Sequence, residues 1–466
     1  MRKFKMPTAF TILFALILTM TLLTWVIPSG SYEYDGDGQP IAGSYHRVES
    51  PGQPITAVLT APLEGLYEAI DIAAFILMVG GFLGVVAKTG ALDAGIANII
   101  RKLEGREKLL IPILMCAFAL GGTTFGMAEE TIAFYPLVLP IMVAAGYDAL
   151  TGVAVILLGA GAGVIGSTVN PFATGIAAGF AGVSLGQGIV LRLLILFAML
   201  AISIWFVMTY AQRVWANPDL SLVADMRAKN TAHFSALRRE DIRLTGMHKL
   251  SLALFALTFL VMIYAVIPFE DMGLPLPALG WWFPELSALF LGASILLGLC
   301  CGLAEREIVE SFLSGAAELL SVAFIIGVSR GITVIMNDAR ITDTILNWGE
   351  TALRGTGSVG FLALIYLLFL PLSFLIPSTS GLAALAMPIM APLADFAGVG
   401  RDLVITAFQS ASGLINLITP TSAVVMGALA LGRIPFDRWL RFTWKLLLIL
   451  FVVLAVFLTG WVLLPI

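Results

Sequence analysis

Apolar runs long enough to cross a lipid bilayer recur along the whole sequence, and no other feature limits the possible folds as much. A backbone surrounded by hydrocarbon has no water to bond with, so only helices or closed β-barrels span it. The runs here are continuous, on the order of 20 residues each, and do not alternate in character, which selects helices. They are too many to be buried core. Of the residues, 59% are hydrophobic and 12% charged, where soluble domains carry about 25% charged residues. The chain therefore reads as an all-α, polytopic membrane protein.

Nine full spans are expected, over residues 6–27, 69–89, 148–181, 187–211, 248–268, 285–303, 316–337, 401–431 and 439–464. The first follows Arg2, Lys3 and Lys5 and closes on Val26-Ile27-Pro28 without a small-residue cleavage pattern, so it reads as a span and not as a signal peptide. Two further apolar segments, 109–145 and 359–395, are too long for one helix. Gly, Pro, Ser and Thr interrupt each near its middle, and each is expected to fold back as a re-entrant hairpin.

Orientation follows from Lys and Arg in the short loops. The loop 28–56 holds Glu33, Asp35, Asp37 and Glu49 against Arg47 and reads as external. Lys88, Arg101, Lys102, Arg106 and Lys108 mark 88–108 as cytoplasmic, and the linker 213–249, with Arg213, Arg227, Lys229, Arg238, Arg239, Arg243 and Lys249, reads the same way. The N-terminus is then cytoplasmic and the C-terminus external, in a bacterial inner membrane.

The two halves of the chain resemble each other. At a near-constant separation Phe75-Ile76-Leu77 meets Phe324-Ile325-Ile326, Ile96 and Asn98 meet Ile345 and Asn347, and Pro140-Ile141-Met142 meets Pro388-Ile389-Met390. Gly163, Ile165 and Pro171 likewise meet Gly413, Ile415 and Pro420. Each half reads as a span, an interfacial segment (56–68, then 304–315), a second span, an amphipathic stretch (91–104, then 340–353), a hairpin, a broken helix and a last span. This divides the chain into a first half, 1–212, a linker, 213–247, a connecting span and loop, 248–284, and a second half, 285–466. The extra span between the halves makes the count odd, so the second half is inserted upside down. Inverted repeats with interrupted helices are a transporter signature, because two pseudo-symmetric conformations expose one central site to either side.

Irregular backbone inside a membrane is tolerated where it is buried or lines a polar cavity. Four such places stand out. The first hairpin carries Thr123, Thr124, Glu129, Glu130 and Thr131 behind Gly121-Gly122 and Gly126. Adjacent carboxylates in an apolar region are costly and point to a proton, cation or cationic-substrate site. The first broken helix, 148–181, carries Ser167, Thr168 and Asn170 before Pro171, which lacks a backbone donor and so frees carbonyls. The second hairpin tip carries Ser378, Thr379 and Ser380, and the second break carries Asn416, Thr419, Thr421 and Ser422. Helix N-termini at such breaks favour anions and freed carbonyls favour cations. Arg330, within the span 316–337, either pairs with a carboxylate or the substrate, or snorkels to an interface.

Other chemistry is excluded. Cys116, Cys300 and Cys301 have no metal-ligand spacing, and His46, His233 and His248 lie in loops or at span edges. Gly327-Val328-Ser329-Arg330-Gly331 fits the G-x-S-x-G pattern, but that motif needs a strand-to-helix turn with His and acid partners. No phosphate-binding loop is present, which argues against ATP-driven pumping. The chain is expected to be neither an enzyme nor a nucleic-acid binder, and to need no cofactor beyond Na+ or H+ as a coupling ion.

Lys5-Met6-Pro7-Thr8, the segments Gly121–Thr131, Ser167–Pro171 and Pro377–Gly381, and Thr419–Ser422 together resemble the YfcC-type branch of the anaerobic C4-dicarboxylate carrier family, within the ion transporter superfamily that contains the divalent-anion:sodium symporters. The resemblance implies a scaffold domain that mediates homodimerisation and a transport domain that holds both hairpins and moves in an elevator-like shift. The family includes proteins assigned to dicarboxylates and proteins assigned to basic amino acids. Its sodium-binding relatives carry Ser-Asn-Thr at the hairpin tips, where this chain has Glu130-Thr131 and Ser378-Thr379; any Na+ would then sit near Asn170 and Thr419.

The expected substrate follows from charge. Two like charges about 4 Å apart repel by about 4 kcal/mol at an effective dielectric near 20, so Glu129 and Glu130 disfavour a dianion. A basic or zwitterionic amino acid is preferred. A C4-dicarboxylate is the alternative if a bound cation or proton neutralises the pair, and an ion or solute channel is the alternative of another class.

Overall fold

The computed structural model describes residues 9–36, 40–41, 43–49, 52–92, 94–95, 98, 106–184, 186–234, 245–266, 276–277, 279–281 and 283–463. Outside these fall the Lys5–Thr8 motif, the basic residues Arg2, Lys3, Arg101, Lys102, Arg238, Arg239 and Arg243, most of the 91–104 stretch, part of the 213–247 linker and of the loop in 248–284, and the C-terminal 464–466.

In chain order the helices are α1 (Ala9–Leu23), α2 (Ala57–Glu68), α3 (Ile70–Lys88), α4 (Leu110–Phe125), α5 (Tyr135–Ala144), α6 (Ala149–Ile165), α7 (Ile176–Ala181), α8 (Ile189–Ala216) and α9 (Arg227–Phe234). There follow α10 (Gly246–Val266), α11 (Phe283–Cys300), α12 (Glu305–Asp338), α13 (Thr342–Leu353), α14 (Ser358–Leu375), α15 (Thr379–Phe396), α16 (Arg401–Ile415), α17 (Ala423–Gly432) and α18 (Phe436–Val462). A two-stranded antiparallel pair, β1 (Gly30–Ser31) with β2 (His46–Arg47), is a small departure from an all-helical fold. Among the described residues, eight helices are long and apolar enough to cross a membrane, and shorter apolar helices include Ala149–Ile165 and Ala423–Gly432. Large apolar side chains such as Phe197 and Trp205 on α8 and Leu448, Val452 and Val456 on α18 point outward. In water this would be unfavourable; in lipid it costs nothing.

Both over-long segments are broken. Residues 109–145 divide into α4, a 3-10 turn over Glu129–Phe134, and α5; residues 359–395 divide into α14 and α15 around Ile376–Ser378. The expected broken helices are also interrupted, at 166–170 between α6 and the π-helical turn Pro171–Gly175, and at 416–422 between α16 and α17.

One expectation is corrected. Residues 304–315 are not a separate interfacial segment before a span at 316–337, because α12 runs unbroken for 34 residues. No proline interrupts it, and it lies as one rod along both α2 and α3, whose own joint at Ala69 is kinked. At 1.5 Å per residue such a helix is about 51 Å long, beyond the ~30 Å of hydrocarbon. Its first turns therefore leave the apolar layer, and there Arg306 pairs with Glu310 at 2.7 Å and Glu307 with Lys88 at 3.3 Å. His233, expected in a loop or at a span edge, lies in the last turn of the short helix α9.

The glycines of the G-x-S-x-G stretch have a packing role. A Cβ at Gly65 of α2 would overlap the backbone of Gly327 and Gly331, and one at Gly84 of α3 would overlap that of Ser311 and Gly315. The absent side chains let α2, α3 and α12 cross in near backbone contact.

The helices pack as two sets. One holds α1, α2, α3, α10, α11 and α12; the other holds α4 to α8 and α14 to α18. They meet chiefly where α12 touches α17 and where α3 touches the 3-10 turn Glu129–Phe134.

Outside the spans, the described residues between 28 and 48 form a cap clasped onto α13. The Ser29 hydroxyl donates to the Ala339 carbonyl at 2.7 Å, the Tyr32 hydroxyl to Glu350 at 2.8 Å and the Tyr34 hydroxyl to Asp343 at 3.0 Å, while Arg354 pairs with Glu350. Burial first, then the Glu350 hydrogen bond, pushes the Tyr32 phenol well above its ordinary value. Burial and the Asp343 charge move Tyr34 from 10.0 to about 12. The folded cap thus holds these protons more tightly than an opened one. The stability that the Tyr34 contact contributes is fully present below pH 10.0 and is lost as pH rises through about 12. Amide protection factors in the β1 strand and Tyr32–Tyr34, which divide out the intrinsic base catalysis of exchange, are expected to fall over that window and to be flat below it.

Candidate functional site

Each break is built by short-range hydrogen bonds that the local sequence supplies. Helix α4 ends at Gly126, whose φ of 73° is left-handed, and the Met127 N–H returns to the Gly121 carbonyl at 3.2 Å. A Cβ at Gly126 would overlap the side-chain amide of Asn170, so the turn after α4 and the first broken helix interlock. The Thr123 hydroxyl donates to the Gly166 carbonyl at 2.9 Å, and the Thr168 N–H donates to the Thr123 hydroxyl at 3.1 Å. The Thr168 hydroxyl donates to the Thr123 carbonyl at 3.2 Å, and Ser167 and Thr174 share a hydroxyl–hydroxyl bond. Asn170 accepts the Ala173 N–H at 3.2 Å, which relieves a donor that the interrupted helix leaves unpaired.

The second half uses the same devices. The Thr421 hydroxyl donates to the Phe374 carbonyl at the end of α14 at 2.7 Å, and Thr419 and Thr421 share a hydroxyl–hydroxyl bond at 2.7 Å. Ser378 is the N-cap of α15, accepting the Gly381 N–H at 3.2 Å, and Ser422 is the N-cap of α17, accepting the Val425 N–H at 3.5 Å. Ser329 of α12 donates to the Thr421 carbonyl at 2.8 Å and joins the two helix sets beside this break.

The breaks surround a cavity of about 180 Å³. Among the fifteen expected site residues, Glu129, Glu130, Thr131, Asn170, Ser378, Thr379, Ser380, Asn416 and Ser422 line it. Thr123, Ser167, Thr168, Thr419 and Thr421 do not; they are buried in the hydrogen-bond mesh that holds the breaks open. Thr124 does not line it either, and its hydroxyl donates to the Leu120 carbonyl of its own helix. The mesh residues shape the cavity without facing it. The volume is below the ~300–1,000 Å³ of drug-sized pockets, which suits a small metabolite.

The electrostatics are mixed. Glu130 is 9% exposed and accepts the Ala128 N–H at 3.0 Å, while Glu129 beside it has no hydrogen bond or ion pair among the described residues. Against these carboxylates stand the N-terminal ends of α15 and α17, whose partial positive charge favours anions. The Asn416 side-chain oxygen is buried and without a partner among the described residues. Arg330 of α12 also lines the cavity; the sequence left its direction open. The apolar lining, with Ile72, Leu157, Val164, Phe283, Leu417 and Val424, carries no local signature that a sequence could reveal.

The sequence profile of the C4-dicarboxylate anaerobic carrier family matches residues 6–463. The chain belongs to that family. It is a multi-pass membrane transporter and not an enzyme, in keeping with a G-x-S-x-G stretch that serves helix packing. A Haemophilus influenzae Rd protein without a functional name is 35% identical to the carrier over 490 residues, covering 95% of the carrier and 94% of the relative. An Escherichia coli K12 protein, provisionally named a basic amino acid antiporter (YfcC), is 32% identical over 506 residues, covering 98% and 97%. Among solved structures, the Alcanivorax borkumensis YdaH transporter matches with a TM-score of 0.44 at 15% identity, covering 98% of each chain. The Neisseria gonorrhoeae efflux pump MtrF matches with a TM-score of 0.42 at 15% identity, covering 98% of the carrier and 95% of MtrF.

Proposed function

We propose that the carrier is a secondary active transporter of the inner membrane, a symporter or antiporter, that moves a basic or zwitterionic amino acid. The reading is carried by one observation: a single small cavity has the carboxylates of Glu129 and Glu130 at one hairpin tip and the capped N-termini of α15 and α17 at the other breaks. An ammonium or guanidinium group suits the first wall and a carboxylate the second. The provisional name of the Escherichia coli relative points the same way.

In this proposal the two halves are inverted repeats, which is why Thr168 tied to Thr123 and Thr421 tied to Phe374 play matching parts. The α1–α3 and α10–α12 set acts as a dimeric scaffold. The set holding both hairpins moves against it in an elevator-like shift, with the cavity at their junction. The N-terminus lies in the cytoplasm and the C-terminus outside. A proton on the glutamate pair, or Na+ near Asn170 and Thr419, is the proposed coupling ion.

A C4-dicarboxylate is the second reading, favoured by the family's own description. The deciding measurement is counterflow in proteoliposomes loaded with arginine, ornithine, leucine or succinate. Labelled arginine or ornithine is expected to accumulate only when unlabelled amino acid is inside. Counterflow with succinate alone rejects the amino acid reading, and fast flux without counterflow means a channel.

A further inference from the structure

Arg330 is an unexpected residue to find in an apolar helix, and its surroundings narrow what it does. It lies in the last third of α12, is half-buried, and lines the cavity between the breaks. It makes no hydrogen bond or ion pair among the described residues, and none with Glu129 or Glu130, which line the same cavity. A half-buried guanidinium that lines a small cavity and has no hydrogen-bond or ion-pair partner among the described residues leaves its N–H donors available to a ligand there.

Its position is well defined. Gly327 and Gly331, on either side of it, press against α2, and the Ser329 hydroxyl next to it bonds the Thr421 carbonyl. This sets Arg330 beside the second-half break, where Ser378 and Ser422 cap the N-termini of α15 and α17. The guanidinium presents planar, paired N–H donors that match a carboxylate in bidentate fashion. The glutamate pair belongs to the hairpin set of helices and Arg330 to the α12 set.

We infer that Arg330 is the specificity-determining residue for the carboxylate end of the substrate, so that a transported amino acid bridges the two helix sets. Its carboxylate is held by Arg330 and the N-terminus of α15 or α17, and its ammonium or side-chain cation by Glu129 and Glu130. The inference rests on the amino acid reading above. It makes a demand that reading does not: the amine lacking the carboxylate must be rejected, and rejected through Arg330.

The test is competition in proteoliposomes between arginine and agmatine, its decarboxylated counterpart, against labelled arginine or labelled agmatine. Loss of one partner of a desolvated charge pair weakens binding by about 30-fold or more. The wild type is expected to favour arginine over agmatine by that factor. Arg330→Gln is expected to cut arginine uptake by as much while leaving agmatine uptake level or raised, and Arg330→Lys is expected to recover part of the discrimination. Unchanged discrimination in Arg330→Gln, or equal loss of both substrates in a variant that melts like the wild type, overturns the inference. If the wild type takes succinate and no amino acid, the amino acid reading fails by itself. Arg330 is then judged on succinate: lost uptake in Arg330→Gln keeps it as the carboxylate group, and retained uptake removes it.

Discussion

Replacing either Glu129 or Glu130 with Gln is expected to lower amino acid uptake by about 30-fold or more, since it removes a charge that the substrate's cation pairs with in the proposed site. The shape of the side chain is kept. In Glu130→Gln the Ala128 N–H can still donate to the side-chain carbonyl oxygen, and the hairpin tip is expected to persist. The two variants are not equivalent. Glu130 is buried and bonded to its own turn, while Glu129 is half-buried and unpaired, facing the cavity. Glu129→Gln is therefore expected to act mainly on substrate affinity, and Glu130→Gln on both affinity and the pH profile of exchange. Uptake with unchanged magnitude and unchanged pH dependence in both variants removes the glutamate pair from the site. A gain of succinate uptake in either one means that the pair selects against dianions.

Gly126→Val is expected to abolish transport while leaving most of the carrier folded. Two separate costs act at this position. A β-branched residue at a φ of 73° is strained by about 1–3 kcal/mol, and its Cβ would overlap the Asn170 amide across the interlock. The hairpin tip must move to accept it, and Glu129, Glu130 and Thr131 would move with it. The damage stays local because α4 is held elsewhere by Thr123 and by its packing on α6. The measurement is uptake beside thermal melting in detergent: lost uptake with a melting temperature within a few degrees of wild type supports the assignment. Near-normal uptake shows that the tip geometry is not needed.

Much of the architecture was legible in the sequence because membrane burial leaves the chain few options. Long apolar runs must be helices, and the places where Gly, Pro, Ser, Thr and Asn interrupt them must be buried or line a cavity. The four interruptions therefore fell where the residues announced them, at 126–128, 166–170, 376–378 and 416–422. What each polar residue does there was less legible. Thr123, Thr168 and Thr421 look like ligands in sequence, but their hydroxyls are taken by backbone carbonyls across the break. A hydroxyl bonded within the mesh and one facing the cavity occupy the same kind of sequence position.

The joint expected near 315 shows the reverse case. Ser314-Gly315 resembles a place for a helix to end, but Gly315 packs against Gly80 and Gly84, and α12 continues unbroken through that crossing. Sequence alone determined the membrane-spanning helical class, the positions of the four breaks and the presence of a carboxylate pair among them, because each follows from local backbone and solvation costs. Only the tertiary structure decided which residues line the shared cavity, Arg330 among them, and that α12 runs through without a joint. Those depend on contacts between segments hundreds of residues apart, which no local pattern encodes.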